Sequence, residues 1–152
     1  MVHHVLARER FENTRAAIRR LDDVHLAIML EGEDWKPQQL HVHAPGTSDP
    51  TAARAIYRAD NLPDIMQALH AEERELTDYI GVTLRLLENV RKGLGDKYAN
   101  VLEARYIDGW QWDRITDEYD IKRPYGHYLI DVACDWIDSI GIQACLRGEY
   151  DV

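Results

Sequence analysis

With 152 residues, 45% of them apolar and including four Trp and eight Tyr, the chain is long enough for one compact domain with a real core and too apolar to be disordered. A net charge of −9 opposes generic attraction to phosphate, and no apolar run approaches the roughly 18 residues a membrane span needs, so no membrane partner is expected. The N-terminal MVHHVLARERF lacks the apolar core of a signal peptide, and Cys134 and Cys145 stand in no metal-ligand spacing. These features point to a cytoplasmic protein with reduced thiols, a Cys134–Cys145 disulfide being the disfavoured alternative.

The charge is unevenly spread. Arg8, Arg10, Arg15, Arg19 and Arg20 face only Glu9 and Glu12 in the first twenty residues, whereas residues 99–152 hold eleven acids and five bases. From Leu6 to about Leu30, Phe11, Thr14, Ile18, Leu21, His25 and Ile28 recur in steps of three and four, the rhythm of a coiled-coil helix. Residues 31–50 lose that period and collect Pro37, Pro45, Gly46 and Pro50, which predicts a loop. Asp49 followed by Pro50 predicts a helix start, because Asp49 can cap free amides and Pro50 loses no needed donor.

Pro63 is expected to kink that helix or to open a fresh one. From Asp64 to about Leu94 a second stripe follows: Met66, Leu69, Glu73, Leu76, Ile80, Thr83, Leu87, Val90 and Leu94. A helix of that length, about 45 Å at 1.5 Å per residue, needs a partner, either residues 6–30 or the same stripe of a second copy. The stripe itself reads as structural core. Gly93 and Gly95 end it, after basic Arg91 and Lys92.

A new helix begins near Tyr98 and runs to Ile107, with Gly109 as its stop. Trp110 to Tyr119 then predicts a short helix, Asp120 to Lys122 a turn, and Arg123 or Pro124 the start of a longer helix. Leu129, Val132, Ala133, Trp136, Ile137 and Ile140 would face inward on that helix, with Tyr125 and Gly126 at the edge. Pro124, His127, Tyr128, Asp131, Cys134, Asp135 and Asp138 would face outward. Entering a major groove N-terminus first, such a helix would bring Lys122, Arg123, His127, Tyr128 and Asp131 to double-stranded DNA.

The stretch YANVLEARYIDGWQWDRITDEYDIKRPYGHYLIDVACDWIDSIG resembles the helix-turn-helix of sigma-factor region four, as carried by phage and prophage regulators of the ArpU and RinA type. Val101-Leu102, Arg105-Tyr106-Ile107, Gly109, Trp112, Ile115, Ala133 and Trp136-Ile137 stand at matching positions, and SDPTAARAIY (48–57) resembles the region upstream. Thr116 departs from the usual Ala, and KRPYGHYLID lacks the usual small hydroxylated opening. Gly126 there costs about 1 kcal/mol against Ala. The resemblance implies sequence-specific DNA binding that regulates phage transcription, by a protein unable to initiate transcription alone.

Against each functional reading stands a plainer one. Lys122 and Arg123 can contact phosphate or guanine, or be ordinary solvated bases. His127 and Tyr128 can reach bases or a protein, and Asp131 can accept from cytosine or merely solubilise. For the N-terminal arginines, pairing with acids of a neighbouring helix is favoured over phosphate contact. His41 and His43, with His3 and His4, lack a Cys or fixed acid, so no metal is expected, and Trp110, Trp112 and Trp136 read as core or near-core. No Gly-rich phosphate loop, GxSxG or HExxH is present, so neither catalysis nor a cofactor is expected.

The expected fold is therefore all-α: a long helical hairpin or coiled-coil part over 1–97 with its loop at 31–50, a helix-turn-helix unit over 98–146, and a tail at 147–152. The expected function is DNA-binding transcription regulation as a homo-oligomer, with acidic surface left to meet RNA polymerase or another protein. The alternative is an interaction or DNA-packaging assembly subunit, like a small terminase, that keeps the fold without reading sequence.

Overall fold

The computed structural model describes residues 5–34 and 50–150, with side chains over 5–32 and 61–150. Among these residues every regular element is helical: α1 (Ala7–Asp34), α2 (Pro50–Gly93), α3 (Asp96–Leu102) continued by a π-helical turn (Glu103–Ile107), α4 (Trp112–Tyr119), α5 (Arg123–Ile140) and α6 (Ile142–Leu146). The expected all-α class is thus observed. Two boundaries differ from expectation. α1 continues through Glu31 to Asp34, because loss of apolar period does not stop a helix and the first proline comes only at Pro37. α2 runs through Pro63, so of the two expected outcomes there the fresh helix start is not observed; proline fixes φ near the helical value, and Pro63 is exposed. The rest of the predicted loop, 35–49, and the four histidines at 3, 4, 41 and 43 lie outside the described residues.

The chain forms two compact units, one of Met1–Arg19 with Asp78–Val152 and one of Arg20–Thr77. Periodicity shows that a helix buries a face, but not which residues bury it.

In the first unit, Phe11, Leu86, Leu87, Val90, Val101, Leu102, Ile115, Leu129, Ile130 and Ile137 form one buried cluster, each such side chain contributing about 1.5–3 kcal/mol. Thr83, a polar member of the predicted stripe, is fully buried and meets the equally buried Thr14 through a 2.7 Å hydroxyl–hydroxyl hydrogen bond. Arg10 seals this pair. Its Nε donates to Thr83 Oγ1 at 2.8 Å, its Nη2 donates to the Tyr79 carbonyl at 2.6 Å, and its guanidinium lies 3.6 Å from the centre of the Tyr79 ring. At the end of α2, Arg91 donates to Asn100 at 2.8 Å and pairs with Asp96 and Glu103 at 3.1 and 3.3 Å, tying α2 to α3 and the π turn.

The first turn of α1 is capped from α5. Leu6 has no side-chain acceptor for the free amides, and the Ala7 N–H donates to Asp138 Oδ1 at 2.7 Å. Arg8 pairs with Asp131 on the preceding turns of α5. This docking buries Cys134, which the sequence placed on the outward face of α5, so the helix is covered on two sides.

In the second unit the pairing is thinner. Arg20 forms a two-pronged bond to Glu72 at 2.6 and 3.0 Å, and His25 Nε2 lies 2.8 Å from Glu73. Val24, rather than His25, takes the fully buried place, because the helical rhythm admits either position and the apolar one gains more from burial. The stripe residues Met66, Leu69 and Leu76 remain half-buried, and Leu26, Met29 and Leu30 are 53%, 59% and 46% exposed.

Thr83→Val should lower stability by about 1–3 kcal/mol through the acceptor lost to Arg10, and a double-mutant cycle with Thr14→Val, read by urea unfolding, should show coupling; strict additivity would deny the shared bond. Burial pushes the Cys134 thiol up to about 12 and the Cys145 thiol up to about 11, whereas unfolded thiols ionise near 8.5. The folded state therefore keeps protons that the unfolded state releases. Stability is complete below about pH 8.5 and falls as pH rises from there towards the folded values. Native protein should resist thiol alkylation until it unfolds, and fast labelling at pH 8 would contradict the burial.

Candidate functional site

The site begins with the turn between α4 and α5. α4 ends at Asp120, whose left-handed backbone (φ 50°, ψ 51°) reverses the chain while its N–H returns to the Thr116 carbonyl. Ile121 N–H also reaches that carbonyl, at 3.2 Å. Lys122 is extended and precedes α5, Pro124 occupies its first turn without loss of a needed donor, and the first bond closes from Gly126 N–H to the Lys122 carbonyl at 3.0 Å. The predicted turn, Asp120 to Lys122, is the one observed.

Trp112 is the seat on which this end of α5 rests. It is 6% exposed, its ring centre lies 4.3 Å from that of His127, and Arg105 and Arg123 place their guanidinium carbons 5.5 and 6.0 Å from it. Gly126 is buried against the same ring, and a Cβ there would overlap the indole. The propensity cost of this glycine is offset by the approach it permits.

Of the five predicted residues, Lys122, just before α5, and Arg123, His127 and Tyr128, on its first turns, are exposed. Asp131, one turn further, is exposed but engaged by Arg8. Inward, Leu129, Ala133 and Ile137 are buried as expected, and Ile130 and Gly126 join them.

Several neighbours escaped the sequence reading. Tyr125 is 40% exposed, its ring 6.1 Å from that of Tyr128, and Lys97 Nζ donates to the Tyr125 hydroxyl at 3.4 Å. Arg114 lies 4.0 Å from the ring centre of Trp110, and Arg105 donates to the Trp110 carbonyl at 3.1 Å. The Trp110/Arg114 and Tyr125/Tyr128 pairs stand at helical i, i+4 and i, i+3 spacings, a signal present in the sequence. Lys97 and Arg105 reach their partners through the fold. Cations laid on aromatic faces are suited to phosphate and base contact. Among the described residues, no group of three or more His, Cys, Asp or Glu side chains could hold a metal ion, and no helix is long and apolar enough to cross a membrane.

Gly126→Ala should destabilise the protein by about 1–3 kcal/mol through overpacking, although Ala is the better helix former by about 1 kcal/mol. Thermal melting with tryptophan fluorescence checks this, and an unchanged or raised midpoint would remove Trp112 as the seat of α5. No protein-family model matches the chain, and neither the curated proteins nor the solved structures include a significant match.

Proposed function

We propose that the protein is a DNA-binding transcriptional regulator of the phage type, in which the first turns of α5 read double-stranded DNA. One observation carries the reading: Lys122, Arg123, His127 and Tyr128 are all exposed on the leading end of a helix that follows a tight turn and is held by Trp112. Side chains so placed can reach base edges in a major groove, while the overall charge of −9 keeps non-sequence-specific attraction low. Asp131, held by Arg8, then serves to orient α5 rather than to read cytosine.

Homo-oligomerisation belongs to the proposal. Leu26, Met29 and Leu30 leave apolar surface on α1 that a second copy would cover, and two recognition ends would strengthen single-site contacts. The same apolar trio favours the alternative, an assembly subunit, and the mass in solution separates the two. A dimer suits a palindromic operator, and a large ring suits packaging.

Fluorescence anisotropy against duplexes from the protein's own upstream region should show saturable binding to one fragment. Lys122→Ala/Arg123→Ala should weaken it by about 10-fold or more, at about 1–3 kcal/mol for a good base contact. Absence of binding even at low salt would end the DNA reading and leave α4 and α5 as a scaffold for a protein partner.

A further inference from the structure

A second cationic feature lies outside the first turns of α5. Phe11 is fully buried and stacks on Tyr106 of the π turn, ring centres 5.7 Å apart. One turn along α1, Arg15 is thereby laid on Gly109, where a Cβ would overlap its guanidinium. Gly109 has φ +71°, so both its backbone and its missing side chain are used. Arg15 Nη1 donates to the Ile107 carbonyl at 3.3 Å, and Arg105 Nη1 donates to the Trp110 carbonyl at 3.1 Å, so the same short loop holds both guanidinium groups. Arg19 follows one turn after Arg15.

These three arginines line one polar hollow of about 210 Å³, together with Glu12 and Gln111. Gln111 precedes α4 and its side chain caps nothing. Three guanidinium groups therefore share a concavity with one carboxylate. Among the described residues, no ion pair involves Arg15, Arg19 or Arg105, whereas Arg8, Arg20, Arg91 and Arg147 are each matched with an acid. Such an arrangement leaves excess positive charge in an otherwise acidic protein, with Arg15 and Arg105 held by backbone acceptors. Its chemistry fits a doubly coordinated oxyanion.

We infer that this hollow clamps a backbone phosphate of the DNA whose bases meet α5, so that α1 belongs to the DNA-binding surface. The inference rests on the DNA-binding reading above. Arg105 links the two features, since it lines the hollow and lies against Trp112, which also carries Arg123 and His127. A phosphate contact here sets position and affinity but reads no base, so it should act equally on preferred and random sequences.

The test is the slope of log affinity against log salt for the full chain and its preferred duplex, which changes by about 0.9 for each phosphate contact. Arg15→Ala/Arg19→Ala should flatten the slope by about one, the value for a single phosphate, with the ratio of preferred to random affinity unchanged, while Arg85→Ala, an exposed arginine of α2 outside the hollow, leaves the slope as it is. Arg19 is exposed, so should the double variant unfold, Arg19→Ala alone should keep the fold and still flatten the slope, by less than one. An unchanged slope in variants that still bind overturns the clamp and leaves the DNA reading standing. Wild-type protein that binds no duplex at low salt overturns both. Inorganic phosphate that shifts the Arg15 and Arg105 Nε–H resonances, in a protein whose duplex affinity ignores those arginines, marks a free-anion site and overturns the clamp.

Discussion

The packing of Phe11 onto Tyr106 is the contact on which the larger unit depends. It lays the first turns of α1 across the π turn and α5, and from it follow the capping of Ala7 by Asp138, the pairing of Arg8 with Asp131 and the placement of Arg15 on Gly109. One aromatic pair, Phe11 fully buried and Tyr106 half-buried, thus anchors a helix whose other links to these elements include the polar ones of Ala7 N–H and Arg8. Polar links of this kind are individually modest. Their precision comes from the apolar anchor beside them.

The chain is acidic, yet not all of its cations are matched with acids. Its charge is segregated rather than uniform: of the N-terminal arginines, Arg8 and Arg20 are matched with carboxylates and Arg10 lies over the Tyr79 ring, while Arg15 and Arg19 line the hollow at Gly109. Field strength near a surface is set by the nearest unpaired charges within a Debye length, about 8 Å at physiological ionic strength. Net charge of −9 opposes non-specific attraction to phosphate, whereas in the proposed clamp only the local cluster would meet an anion.

Much of the helical layout was legible in the chain. The stripe from Thr83 to Val90, the stop at Gly93 and the turn at Asp120 follow from periodicity and from the backbone needs of helix ends, which are local. What could not be read is long-range. Nothing near Cys134 in sequence signals that α1 covers it, and Gly126 looks like a propensity defect until Trp112 is seen against it. The choice between Val24 and His25 was likewise invisible, since both fit the rhythm. Of the proposed DNA-facing residues, those on the first turns of α5 were accessible because a turn announces the helix that follows it; Arg15 and Arg19 were recognised as basic but not as neighbours of Gly109.

The larger unit is assembled from both ends of the chain, with residues 20–77 intervening. During synthesis Phe11 leaves the ribosome long before Tyr106 exists, so the first turns of α1 must wait with their apolar face uncovered until some ninety residues later. Closing so long a loop costs little more than closing a shorter one, because the entropy grows only with the logarithm of length, but it delays the contacts that reward it. Cut away from α1 and α2, the segment from Tyr98 onward would lose Phe11, Leu86 and Val90 from the buried cluster it shares with them.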